Sequence, residues 1–389
     1  MRRQPFRLLC LALLGWLLVW LPAAAPPGAA QPAAAAAEIR GVWMTSNDMA
    51  TLRNRARMQA AVAQLSRLHF NTLYPVVWNG GHAYYPSAVS EQRGLQSFSF
   101  RGLEGQDILA ELIQEAHRHN LKVIPWFEFG FMTPPDSELA RRHPDWLTQK
   151  RDGGRTSISA AGEVAWLNPL RPEVQELITS LVLEVTGQYD ADGIQFDDHM
   201  SLPSDFGYDR FTTALYQRQT GRTAPTDPQD PAWLRWRADQ ISSFMQTLHQ
   251  KVRAARPQAI VSVSPNYYDF AYKLQLQDWR RWVRLGIVDE LIVQVYRPDL
   301  ESFVPQLDRP ELQESLRTIP TAVAIMSGQR NRPVSIALIR SQVEAARQRG
   351  LGVAFFYYES LWEAAAEEAA VRQAALQELF PTAAPRSPA

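Results

Sequence analysis

From Glu38 onward the chain alternates short apolar runs with longer stretches whose apolar residues recur every three to four positions. The runs fall at 39–45, 72–78, 122–129, 193–196, 259–264, 291–296, 319–325 and 352–358. They are largely continuous rather than alternating, which is the pattern of parallel strands buried on both faces. Amphipathic stretches at 56–68, 107–119, 171–188, 239–253 and 336–349 separate them. Asn120 and Gly350 stand where helices should stop, and Pro172 suits a first helical turn. Strand–helix alternation repeated eight times predicts an α/β fold: one (β/α)8 TIM barrel over 38–380, with loop insertions on its C-terminal face. An open doubly wound sheet also alternates, but it usually carries a Gly-rich phosphate loop after its first strand. No glycine lies between Met44 and Asp48. The long gap at 133–166 is expected to be an insertion near the active face. Trp233, Trp236, Trp279 and Trp282 have helical spacing, which marks them as packing residues.

The ends of the chain follow other rules. Arg2, Arg3 and Arg7 frame the start of an apolar run over 8–21, and small residues follow. This is the build of a secretory signal, expected over 1–30. The run is short for a membrane span of roughly 20 residues, and an uncleaved anchor is the alternative. Residues 31–37 read as an Ala/Pro linker, and 381–389 as a disordered tail. An exported protein of the periplasm or extracellular space is expected, with no membrane domain beyond the N-terminal signal. The only cysteine, Cys10, lies inside the apolar run. The mature chain then has no disulfide, thiolate metal site or cysteine nucleophile.

Composition narrows the chemistry. A hydrophobic fraction of 46% can fill a large core, and 40 basic residues balance 40 acidic ones. No dense basic run suggests nucleic acid. There is no His-Glu-x-x-His spacing and no Gly-x-Ser-x-Gly elbow. Neither a metal nor another cofactor is expected, and the protein is expected to act as a monomer.

TIM-barrel active sites form at the C-terminal ends of the strands. Those ends deliver Trp43 and Asp48, Trp78 and His82, Trp126 and Glu128, then Asp197, Asp198 and His199. Asn266, Gln294, Tyr296, Glu359 and Trp362 follow from the later runs. Rings of this kind stack on the apolar faces of sugars, and the carboxylates, amides and histidines bond sugar hydroxyls. Hydrolysis of a glycosidic bond generally needs two carboxyl groups, one to protonate the leaving oxygen and one to attack, stabilise or activate water. Alternation along the fourth run sends Asp197 and Asp198 to different sides, so one faces the axis and the other braces a neighbour. Glu128 sits in an apolar stretch, so it must be paired, protonated or rim-exposed. An ion pair with Arg297 is one possibility, general acid/base service the other, and Glu359 is the rival acid. A polysaccharide hydrolase is the leading reading. A non-catalytic carbohydrate-binding barrel and a metal-dependent carbohydrate-active barrel, with Asp197, Asp198 and His199 as ligands, are the alternatives.

Several segments together resemble the bacterial glycosyl hydrolase-like 10 family: Arg40-Gly-Val-Trp-Met-Thr45, Phe70-Asn-Thr-Leu73, Ala83-Tyr-Tyr-Pro-Ser87, Trp166-Leu-Asn-Pro169, Asp192-Gly-Ile-Gln-Phe-Asp-Asp-His199 and Gln294-Val-Tyr296. The resemblance spans roughly Glu38 to Trp362. It implies a TIM-barrel glycosidase of the cell envelope, of a type that includes cleavage of peptidoglycan strands stripped of stem peptides near the division site. The family's acidic fourth-strand motif falls on Asp197 and Asp198. Two departures flank it. His199-Met-Ser-Leu-Pro203 stands where many members continue with tyrosine and further aromatics, and Trp126-Phe-Glu128 stands where many have a Trp-Phe-Asn-like sequence.

Overall fold

In the computed structural model, which describes residues 37–95, 105–159, 162–363 and 365–386, the apolar runs become eight parallel strands closed into a barrel. The first two are Arg40–Met44 and Thr72–Asn79. The third is split into Lys122–Val123 and Trp126–Phe127, and the fourth is Gly193–Asp197. Ile260–Ser264, Glu290–Gln294, Thr321–Met326 and Gly352–Phe356 complete the set. Closure is direct. Val42 of the first strand registers with Leu73 of the second on one side and with Phe355 of the eighth on the other. Most strand residues are fully buried, since helices cover the outer face and side chains fill the inside. The third run is not continuous as expected, because Pro125 has no N–H for the ladder. Its carbonyl still accepts from the Gln195 N–H at 2.8 Å, so the path holds.

The surrounding helices begin and end where short polar residues and glycine dictate. Asp107 accepts from the Ala110 N–H at 3.0 Å, and Ser335 from the Leu338 N–H at 3.3 Å, capping Ile108–Arg118 and Ile336–Arg347. The helix after the fourth strand, Pro231–Ala255, starts earlier than its periodicity suggests. Asp230 caps it through the Ala232 and Trp233 N–H groups, with Pro231 in the first turn. The 133–166 gap holds more than a loop. Met132–Thr133, Thr156–Ser159 and Gly162–Trp166 form a small antiparallel sheet, accompanied by the helix Glu138–Arg142.

A polar relay crosses the barrel interior. Trp43 Nε1 donates to Gln195 Oε1 at 2.7 Å, Gln195 Nε2 to Ser262 Oγ at 2.9 Å, and Ser262 Oγ to Glu290 Oε1 at 2.8 Å. Tyr74 also donates to Glu290, at 2.8 Å. Glu290 is buried at the N-terminal end of its strand, and its charge is met by Arg386. That pairing ties Arg386, within the expected disordered tail, to the barrel. The Pro385 carbonyl accepts from the Glu38 N–H at 3.0 Å and the Thr382 carbonyl from Arg40 at 2.6 Å, which fastens 382–386 to the barrel base. The expected signal peptide, most of the linker and residues 387–389 lie outside the described residues. Among the described residues, no helix is long and apolar enough to cross a membrane.

Candidate active site

The strand ends enclose a cleft of about 460 Å³. Trp43, Trp126, Glu128, Asp197, Asp198, His199, Asn266, Gln294 and Tyr296 line it, together with Asn47, Ser159, Gln329 and Phe356. The small insertion sheet therefore contributes a wall through Ser159.

Alternation along the fourth strand separates its two acids. Asp197 is buried and Asp198 is partly exposed. Asp197 Oδ1 accepts from the His199 N–H at 2.9 Å, and Asp197 Oδ2 lies 3.2 Å from His199 Nδ1. Asp198 turns the other way. Its Oδ2 accepts from Asn266 Nδ2 and its Oδ1 from Gln294 Nε2, both at 2.9 Å. Gln294 also donates to the Ser264 carbonyl at 2.8 Å, and Trp279 Nε1 donates to the Asn266 carbonyl at 3.1 Å. The Gln294 amide is thus fixed by a second acceptor, and the Asn266 backbone is fixed by Trp279.

Glu128 reaches the same cleft from the third strand. Its partner is not Arg297 but Asn79, whose Nδ2 donates to Glu128 Oε2. Burial, then the nearby Asp197 charge, pushes the Glu128 carboxyl up to about 8. Burial also raises Asp197, to about 6, against the opposing pull of His199. Burial disfavours a charged His199, yet Asp197 and Asp198 outweigh it and hold the imidazole at about 10. At neutral pH Glu128 is therefore a neutral proton donor beside an imidazolium–carboxylate pair. Gly130 lets this part of the loop close on the fourth-strand turn. Its φ is +45°, and a Cβ there would lie 2.5 Å from the His199 carbonyl oxygen.

Asp197, Asp198 and His199 each offer an atom within 4.8 Å of the others, a spacing that a divalent ion could use. The Glu128 carbonyl, 2.8 Å from His199 Nδ1, and the two amides on Asp198 already occupy these groups. His199 Nδ1 and both Asp198 oxygens therefore have hydrogen-bond partners within the protein.

The model of the glycosyl hydrolase-like 10 family matches residues 38–345. The chain belongs to that family. As a family member it is a glycosidase. It is 27% identical over 317 residues to the glycosyl hydrolase DigH of Escherichia coli K12, covering 70% of each chain. It is 24% identical over 300 residues to the glycosyl hydrolase YngK of Bacillus subtilis, covering 67% of this chain but 54% of that one. Among solved structures it resembles the PgaB glycoside hydrolase domain of Bordetella bronchiseptica, with a TM-score of 0.61 at 14% identity. That match covers 82% of this chain and 94% of the other, and it speaks for the shared barrel.

Within this family member, five candidates stand apart from the cleft. Glu359 is held by Arg330, with Nε 2.8 Å from Oε2, and by the Tyr357 hydroxyl at 3.2 Å. Asp48 is buried and accepts from the Thr45 N–H at 2.6 Å and the Glu359 N–H at 2.8 Å, so it braces the loop beneath the eighth strand. Burial raises its carboxyl to about 7. Trp78 is buried, and Trp362 packs against Tyr358 in the short helix Tyr358–Trp362. His82 faces Asn79 in a hairpin beyond the second strand, where burial lowers its basicity. Residue type and strand-end position suggested all five, but none is among the residues that line the cleft. Asn79 is legible as a strand-end residue one position beyond Trp78, but its role as the partner of Glu128 is not. Gln329 follows the seventh strand end, a position that marks it, whereas Ser159 carries no local signal because the insertion sheet brings it to the cleft.

Proposed function

We propose that this glycosidase hydrolyses O-glycosidic bonds of an envelope polysaccharide with Glu128 as general acid and Asp198 as the opposing carboxylate. The observation that carries this reading is a half-buried Glu128, its carboxyl raised to about 8, facing the same cleft as a carboxylate held by two amides. Glu128 gives its proton to the glycosidic oxygen as the C–O bond breaks. Asp198 opposes the positive charge that develops at the anomeric carbon, and water supplies the hydroxyl of the new reducing end. Asp197 is a positioning residue that orients His199 and raises the Glu128 carboxyl. Of the aromatic residues that line the cleft, the half-buried Tyr296 is the one on which a sugar face stacks, with Trp43 and Trp126 packed behind.

The first substrate to test is peptidoglycan stripped of its stem peptides, a reading that rests on the family resemblance. The signal-like N-terminus supports export to the periplasm or beyond. The test is release of new reducing ends from purified peptide-free strands and from a panel of other polysaccharides by residues 38–389. Activity that survives both Glu128→Gln and Asp198→Asn overturns the assignment. Binding without release of ends by the unmodified protein overturns the catalytic reading itself.

A further inference from the structure

Beside the catalytic cleft lies a second groove of about 420 Å³. The two are continuous, since Tyr296, Met326 and Gln329 line both. Their charge differs sharply. The cleft is lined by Glu128, Asp197, Asp198 and His199, whereas the groove is lined by Arg297 and Arg332 and by no acid. Neighbouring guanidinium groups find carboxylates: Arg309 pairs with Asp269, Arg330 with Glu359 and Arg340 with Glu378. Arg297 instead donates to the Tyr296 carbonyl at 3.0 Å and lies 5.7 Å from the Tyr267 ring. Arg332 stands exposed on the Gly328–Gln329/Arg332–Pro333 hairpin. Neither forms an ion pair among the described residues.

Two guanidinium groups facing one groove present forked donors suited to a planar carboxylate. In the adjoining cleft Glu128 is neutral and His199 offsets Asp197, which leaves the Asp198 carboxylate to disfavour an anion there, so a glycan with alternating charge has a single favourable placement. We propose that Arg297 and Arg332 form a subsite for a sugar that carries a free carboxylate, next to the sugar whose bond is cut. The proposal rests on the glycosidase reading of the cleft and extends it to substrate choice. The carboxylate is either part of the ring, as in a uronic acid, or borne on an ether side chain, as on peptide-free peptidoglycan.

The test compares peptide-free peptidoglycan strands and oligouronides with their carboxyl-reduced forms, using the unmodified protein and Arg297→Gln, Arg332→Gln and the double variant. Charge-assisted contacts of this kind predict that the ratio of kcat/KM for acidic over reduced glycan is roughly tenfold or more for the unmodified protein. That ratio collapses towards one in the double variant, mainly through KM. It also shrinks in high salt, because the arginines reach solvent. Which acidic glycan shows the ratio identifies the source of the carboxylate. Equal handling of acidic and reduced glycans by the unmodified protein overturns the proposal, as does an equal loss on both in the variants. Binding of the same glycan pairs is measured alongside by calorimetry. If no glycan is cut, the cleft reading fails, while the binding ratio still decides the arginine subsite.

Discussion

Replacing Glu128 by glutamine should damage catalysis and strengthen the fold. The carboxyl ordinarily titrates near 4.5, and in the folded protein it is raised to about 8. Folding therefore takes up a proton at neutral pH. The stability tied to that proton is complete below about 4.5 and is lost as pH rises to about 8. Each unit of difference is worth about 1.36 kcal/mol, so at pH 7 the ceiling is about 3 kcal/mol. Glutamine is neutral at every pH and its carbonyl can still accept from Asn79. Glu128→Gln should thus exceed the unmodified protein in stability by up to about 3 kcal/mol at pH 7 and by less than about 1 kcal/mol at pH 5. Its kcat should fall roughly 10²- to 10⁴-fold, the usual worth of a general acid. Denaturant melts at the two pH values give the first quantity, and reducing-end release gives the second. A variant that keeps more than about a tenth of the activity refutes the acid role. One less stable than the parent at pH 7 refutes the neutral carboxyl.

Other consequences are as direct. Activity should fall as pH rises through about 8, when Glu128 loses its proton, and fall again below about 6, when Asp197 gains one and loosens His199; a flat profile from 5 to 9 contradicts this. Asn266→Ala or Gln294→Ala frees one oxygen of Asp198 and should lower kcat roughly 10- to 100-fold, since small misplacements at a reacting group are costly; a change in KM alone points to a substrate-binding role instead. Arg386→Ala leaves Glu290 charged and buried at the barrel base, which should cost about 3–5 kcal/mol; pairing it with Glu290→Gln should recover much of the loss in denaturant melts. Glu359→Gln breaks an ion pair whose arginine is 60% exposed and weakens the hydrogen bond from the Tyr357 hydroxyl. Stability should change by less than about 1 kcal/mol, and a large fall in turnover would return Glu359 to the candidate acids.

The chain's pattern of apolar runs was enough to determine the barrel, because burial on both faces leaves each parallel strand a continuous apolar signature. Helix ends were legible at Asp107, Asn120, Pro172 and Gly350 for equally local reasons. The fourth-strand acids were legible as a pair, since strand alternation requires them to diverge. Other features depended on distant contacts. Glu128 and Glu359 look equivalent as acids at strand ends, yet one is neutral in a cleft beside Asn79 and the other is fixed by Arg330. The Pro/Ala-rich tail reads as loose, and Arg386 fastens it because Glu290 needs a counter-charge at the barrel base. Local propensity depends on a residue and its near neighbours, so sequence settles strands, helices and caps. The protonation and aim of a buried carboxyl depend on charges and donors that only barrel closure brings within a few ångströms.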